Sequence, residues 1–111
     1  MLPREWQFYV NDMIIFAENV LRYTANLNQP EFESNRLIYD ATLRNLELIG
    51  EAATHIPSEI RVIYPNIAWR QMIALRNRLI HAYLGLDNDI LWDVIQTDIP
   101  NLLQLLKQLE T

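Results

Sequence analysis

The chain has 111 residues, 50% of them hydrophobic and 21% charged, with two glycines, five prolines and no cysteine. That is enough for one domain with a buried core and argues against disorder; it excludes a collagen-like repeat, a disulfide framework and a thiolate metal site. The net charge of −5 argues at first against a nucleic-acid partner.

In chain order the apolar pattern is helical nearly throughout. Trp6, Tyr9/Val10, Met13/Ile14, Phe16/Ala17 and Val20/Leu21 recur at three- and four-residue steps, predicting one long amphipathic helix to about Asn26. Residues Asn26 to Asn35 are polar, contain Pro30 and read as a connection. A second helix is predicted over Leu37 to His55, with Ile38, Ala41, Leu46/Ile49 and Ala52/Ala53 inward. Pro57 interrupts the pattern, and Ser58-Glu59 opens a short helix that stops before Pro65. A third long helix is predicted from Ile67 to Tyr83, along Trp69, Met72/Ile73, Leu75/Arg76 and Leu79/Ile80, with Gly85 as its stop. Asp87 or Asn88 caps a last helix running to Leu109, which Pro100 should kink or restart. No strand alternation competes. The expectation is a single all-α domain over 1–111, an antiparallel up-down bundle of four main helices plus a short one. The leucines at 102, 103, 105, 106 and 109 cover more than one stripe; they face two neighbours within the bundle or a second subunit, and a homodimer is expected. No apolar run approaches the ~18 residues of a membrane span. The N-terminus, Met1-Leu2-Pro3-Arg4-Glu5, lacks a signal peptide's apolar core. A soluble, cytoplasmic protein with no membrane partner is expected.

Charge is unevenly placed. Residues 1–59 hold nine acids and four arginines, and residues 87–111 hold five acids and one lysine. Residues 60–86 between them hold no acid and four arginines, Arg61, Arg70, Arg76 and Arg78. Eight of the nine basic residues are arginine, whose planar fork grips phosphate or carboxylate in two places.

Histidine is the side chain suited to proton transfer near neutral pH, and the chain has two. His55 follows Glu51 by four residues on one helix face, but the step occurs once and has no partner histidine nearby, so a helix-end residue fits better than a metal ligand. His81 lies in Leu75-Arg76-Asn77-Arg78-Leu79-Ile80-His81-Ala82-Tyr83. A guanidinium, an amide, an imidazole and a phenol crowd a segment where leucine and alanine would pack at lower cost. Arg76 and Tyr83, seven apart, nearly eclipse, whereas His81 is about 140° from Arg76. The two converge on one atom only if the helix loosens before Gly85, or if two copies of the segment face each other across a dimer. The other arrangement pairs Arg76 and Arg78 with acids of neighbouring helices and leaves His81 and Tyr83 merely ending the helix.

At these residues the chain resembles a HEPN domain of the HepT-like toxin family. The family pattern, an arginine, four residues, a histidine, one residue and a tyrosine, with a polar residue after the arginine, is met by Arg76, Asn77, His81 and Tyr83. Arg44-Asn45-Leu46-Glu47-Leu48-Ile49-Gly50-Glu51-Ala52 resembles its second-helix segment, and Ile67-Ala68-Trp69 and Leu91-Trp92-Asp93-Val94 resemble its flanks. The likeness covers about residues 38–103. It implies an all-helical homodimer whose two motifs line one cleft and cut RNA without metal or cofactor. It also implies a toxin opposed by a minimal nucleotidyltransferase antitoxin that transfers AMP to the motif tyrosine, here Tyr83. The residue types fit that chemistry: His81 as general acid or base, Arg76 on the phosphate and its developing charge, Asn77 orienting either one, Arg78 on a flanking phosphate, Tyr83 on a base or phosphate. Two other readings are a non-catalytic helical partner that the nucleotidyltransferase modifies, and a helical adaptor without a site.

Overall fold

A computed structural model describes the backbone of residues 2–82 and 85–109 and the side chains of 5–81 and 85–109, and every regular element in them is helical. The three- and four-residue apolar spacing of the N-terminal segment becomes α1, Leu2–Thr24, which buries Val10, Met13, Ile14, Ala17 and Val20. Each of the larger ones, Val10, Met13, Ile14 and Val20, contributes roughly 1.5–3 kcal/mol by leaving water. Asn26 ends the turn after α1 at φ 67, a left-handed conformation that asparagine tolerates.

The connection predicted over Asn26–Asn35 holds a further short helix, α2, Gln29–Ser34. Asn28 and Glu31 form a reciprocal cap: the Asn28 side chain accepts from the Glu31 N–H, and the Glu31 carboxylate accepts from the Asn28 N–H, both at 2.9 Å. Pro30 sits in the first turn, where its missing donor costs nothing. Phe32 is fully buried between Tyr39 and Trp92, which anchors so short a helix. Asn35 then caps α3, Arg36–Thr54, accepting from the Ile38 N–H at 3.1 Å.

After Pro57 comes α4, Ser58–Ile63, with Pro57 rather than Ser58 at the cap position. Arg61 reaches back to the end of α3 and donates to the carbonyls of Ile56 and Ala53, both at 3.1 Å. The third long helix, α5, spans Trp69–Ala82; it begins two residues after Ile67, although both Ile67 and Trp69 are buried. Tyr83, predicted as its last residue, lies outside the described residues.

Asp87 caps α6, Asn88–Asp93, accepting from the N–H groups of Asp89 and Ile90. The chain then widens into a π turn, Val94–Asp98, and continues as α7, Ile99–Leu109. The π turn is how the helix absorbs Pro100: the Ile99 N–H bonds five residues back to Val94, and the wider turn relieves the clash a proline ring makes with the carbonyl four residues before it. The helix neither breaks nor restarts there.

Contacts between residues of different helices set the packing. Asn19 donates to Asn45 at 3.0 Å and Tyr9 stacks on His55, so α1 and α3 run antiparallel. Gly50 lies against Met72 and Arg76, while Leu43 shares a groove with Leu79 and Ile80, so α3 and α5 are antiparallel too. On α7, Leu102 and Leu106 are buried and Leu103, Leu105 and Leu109 pack partly against the same core. One stripe of the leucine-rich helix thus lies inside the bundle, and the other packs only partly against it. No helix among the described residues is long and apolar enough to cross a membrane.

Candidate active site

The site begins at a glycine. A Cβ on Gly50 would overlap the Cβ of Arg76 and sit 2.5 Å from the Met72 carbonyl oxygen, so α3 and α5 approach this closely only without a side chain there. The approach brings the next residue of α3, Glu51, to the Arg76 guanidinium. Nη2 of Arg76 donates to Oε1 of Glu51 at 2.8 Å, and Nη1 donates to Oδ1 of Asn77 at 2.8 Å. The Nε–H is buried without a partner. Each Nη carries two N–H bonds, so one on each remains for an anion, and the Arg76 side chain keeps 28% of its surface exposed. An ion pair this exposed adds at most about 1 kcal/mol of stability. Its effect is orientation: two fixed bonds set the plane of the guanidinium fork.

Glu51 works in two directions. Its Oε2 is 3.3 Å from Nε2 of His55, and the His55 ring stacks on Tyr9 with centroids 4.5 Å apart and planes 11° from parallel. Contacts thus run from Tyr9 on α1 through His55 and Glu51 on α3 to Arg76 and Asn77 on α5. His55 caps the C-terminal end of α3, as its position predicts. No group of three or more histidine, aspartate or glutamate side chains able to hold a metal exists among the described residues.

The predicted site residues separate into two sets. Arg76 and Asn77 come together, with Glu51 as a third member. His81 does not join them within one chain. The described length of α5 stays helical through Ala82, so between Arg76 and His81 the helix does not loosen and the two remain about 140° apart. Arg76 faces α3, whereas His81 is exposed and no described residue bonds it. The pairing of arginines with neighbouring acids holds for Arg76 and not for Arg78, which is exposed and has no partner among the described residues. Glu51 and Gly50 carry weight that the arginine–histidine motif does not reveal. The context of Glu51 points to His55, four residues on; its bond to Arg76 spans 25 residues and appears only in the fold. One turn along from Arg76, α3 and α5 frame an open groove of about 400 Å³ lined by Asp40, Leu43, Arg44, Glu47, Leu79 and Ile80.

A family model described as ribonuclease HepT-like matches residues 13–109, from the middle of α1 to the end of α7. The chain belongs to the HepT-like family. Among its relatives, a Methanocaldococcus jannaschii protein named "putative RNase" is 36% identical over 102 residues, covering 92% of this chain and 94% of the relative. A Thermococcus cleftensis protein named "probable ribonuclease HepT" is 35% identical over 101 residues, covering 91% and 92%. A Caldanaerobacter subterraneus protein, also named "putative RNase", is 28% identical over 101 residues. No solved structure matches the chain. The HepT-like match includes Gly50 and Glu51 as well as Arg76, Asn77 and His81, so the whole α3–α5 contact lies within the family's region.

Proposed function

We propose that the chain is a metal-independent endoribonuclease acting as the toxin of a toxin–antitoxin pair. The observation that carries the reading is the Arg76 guanidinium: partly exposed, aimed by Glu51 and Asn77, and five residues before an exposed His81 that no described residue bonds, in a HepT-like chain. The names of the relatives support the same class of activity.

RNA carries its own nucleophile. The 2′-oxygen attacks the adjacent phosphorus, the bond from phosphorus to the 5′-oxygen breaks, and the products end in a 2′,3′-cyclic phosphate and a 5′-hydroxyl. A proton leaves the 2′-hydroxyl and another reaches the departing 5′-oxygen; His81 is the general acid or base for these transfers. Arg76 binds the non-bridging oxygens and stabilises the charge that builds on them. Asn77 orients the guanidinium, and Arg78 takes a flanking phosphate. Because Arg76 and His81 look away from each other on one straight helix, the working unit is a homodimer. There the guanidinium of one copy and the imidazole of the other meet on a single phosphodiester. A nucleotidyltransferase antitoxin silences the cleft when the Tyr83 oxygen attacks the α-phosphorus of ATP, the α–β anhydride bond breaks, and pyrophosphate and the phenol proton leave; the attached AMP adds negative charge and bulk to the motif.

The test is the chemistry of the products. RNA incubated with the protein in EDTA is expected to yield fragments ending in 2′,3′-cyclic phosphate, read by mass spectrometry. Fragments with 3′-hydroxyl ends, or cleavage that appears only on adding magnesium, overturn the reading. Incubation with the nucleotidyltransferase and ATP should add the mass of AMP, and Tyr83→Phe should abolish the addition. A chain that is modified yet cuts no RNA is instead the modification target alone.

A further inference from the structure

The acid-free block supplies more than Arg76. On α5 the residues Arg70, Ala74, Asn77, Arg78 and His81 follow at helical intervals and are all exposed, so they form one solvent-facing stripe. From His81 to Arg70 the stripe is about 16 Å long. Carboxylates flank it without lying on it: Glu51 is engaged with Arg76 on one side, and Asp98 lines a separate pocket with Gln71 on the other. No described residue bonds Arg70 or Arg78, so their forks are free for an anion. Ala74 keeps the middle of the stripe low.

At Arg70 the stripe opens into a basin of about 450 Å³ whose lining includes Arg61, Val62, Pro65, Trp69 and Arg70 and no acid. Arg61 is held in place by its Nε bond to the Ile56 carbonyl and its Nη2 bonds to the carbonyls of Ala53 and Thr54, which leaves the Nη1 N–H groups to meet a phosphate. Val62 is 76% exposed and gives the basin an apolar wall. Two cations and an apolar wall, at the end of a basic stripe that starts at the proposed cutting residues, match the alternation of phosphate and base along a single strand.

We propose that this basin is a second nucleotide-binding subsite, in which Arg70 and Arg61 hold a phosphate of the RNA chain and Val62 supports the adjoining base, a few nucleotides from the bond that Arg76 and His81 cut. The inference rests on the ribonuclease reading and deepens it. It makes substrate length a determinant of affinity: a dinucleotide fills the cleft, while a longer strand also reaches the basin.

Binding of fluorescein-labelled 2′-O-methyl RNA, which lacks the attacking hydroxyl and stays intact, tests this by polarisation on the full chain. Extending a dinucleotide to a decanucleotide is expected to tighten binding at least tenfold in the wild type. In Arg70→Glu about tenfold of that gain should vanish, and the slope of log affinity against log salt should fall by about one; Arg70→Lys should recover part of both. An equal gain in wild type and Arg70→Glu, or no gain with length in the wild type, overturns the subsite. So does a basin that takes an acidic peptide and leaves RNA binding unmoved by Arg70→Glu. The parent reading fails separately, through the absence of cyclic-phosphate products, whatever the binding shows.

Discussion

Glu51 sits between two demands on Arg76. Its carboxylate aims the guanidinium, at 2.8 Å, and also competes with any phosphate that arrives there. Removing it therefore has opposite effects on binding and on turnover. Glu51→Ala is expected to lower kcat about tenfold, because the fork is no longer held in plane, while KM falls as the competing charge disappears. Glu51→Gln keeps an acceptor for Nη2 and should retain more of kcat than Glu51→Ala. Steady-state cleavage of one RNA by the three proteins checks this; equal kcat in all three contradicts a positioning role. Arg76 stands out in the sequence because a guanidinium is out of place on the side of α5 that packs against α3; Asn77 and His81 lie on the exposed side, where polar residues are ordinary, and only their spacing from Arg76 singles them out. Glu51 is not legible there, because its partner belongs to another helix.

Two helix contacts carry the next predictions. Gly50→Ala pushes a methyl into the Arg76 side chain and the Met72 carbonyl, so α3 and α5 must part. Overpacking of this kind costs roughly 1–3 kcal/mol, which for a domain of this size lowers Tm by about 4–8 °C per kcal/mol. Thermal unfolding followed by circular dichroism reads it, and an unchanged Tm would show that the two helices are not seated on this glycine. In the π turn, burial pushes the Asp98 carboxyl above its ordinary range, and Asp93 nearby adds to the shift. The folded state therefore holds that proton more tightly than the unfolded chain. The resulting destabilisation is present at neutral pH and fades as pH falls through the raised value. Asp98→Asn is expected to raise Tm at pH 7, with the gain shrinking toward acid; a gain that grows in acid contradicts the assignment. The long helices are legible because one amphipathic period runs through each of them. The short α2 hides in a polar stretch, since its evidence is the Asn28–Glu31 cap and a single buried Phe32 rather than a period. Pro100 shows a disturbance of the helix in the sequence but not its form: the chain does not restart there, and the turn before it widens to π.

Across the molecule, a net charge of −5 coexists with a helix whose exposed face carries arginines and a histidine and no acid. On the proposed ribonuclease reading, the distribution of charge bears on the partner more than its sum. The same helix motivates the homodimer of the proposed function. Arg76 turns toward α3 and His81 toward solvent, and on that proposal a second chain brings the two groups to one phosphodiester. Complementation between two inactive variants tests this most directly. Arg76→Ala and His81→Ala, each folded by circular dichroism, are expected to lose at least a hundredfold in RNA cleavage in EDTA. Co-refolded in equal amounts, they should regain up to about a quarter of wild-type activity, since half of the random dimers are mixed and each mixed dimer rebuilds one of two shared sites. Single variants that cut at the wild-type rate, or a mixture as silent as its parts, would contradict the account.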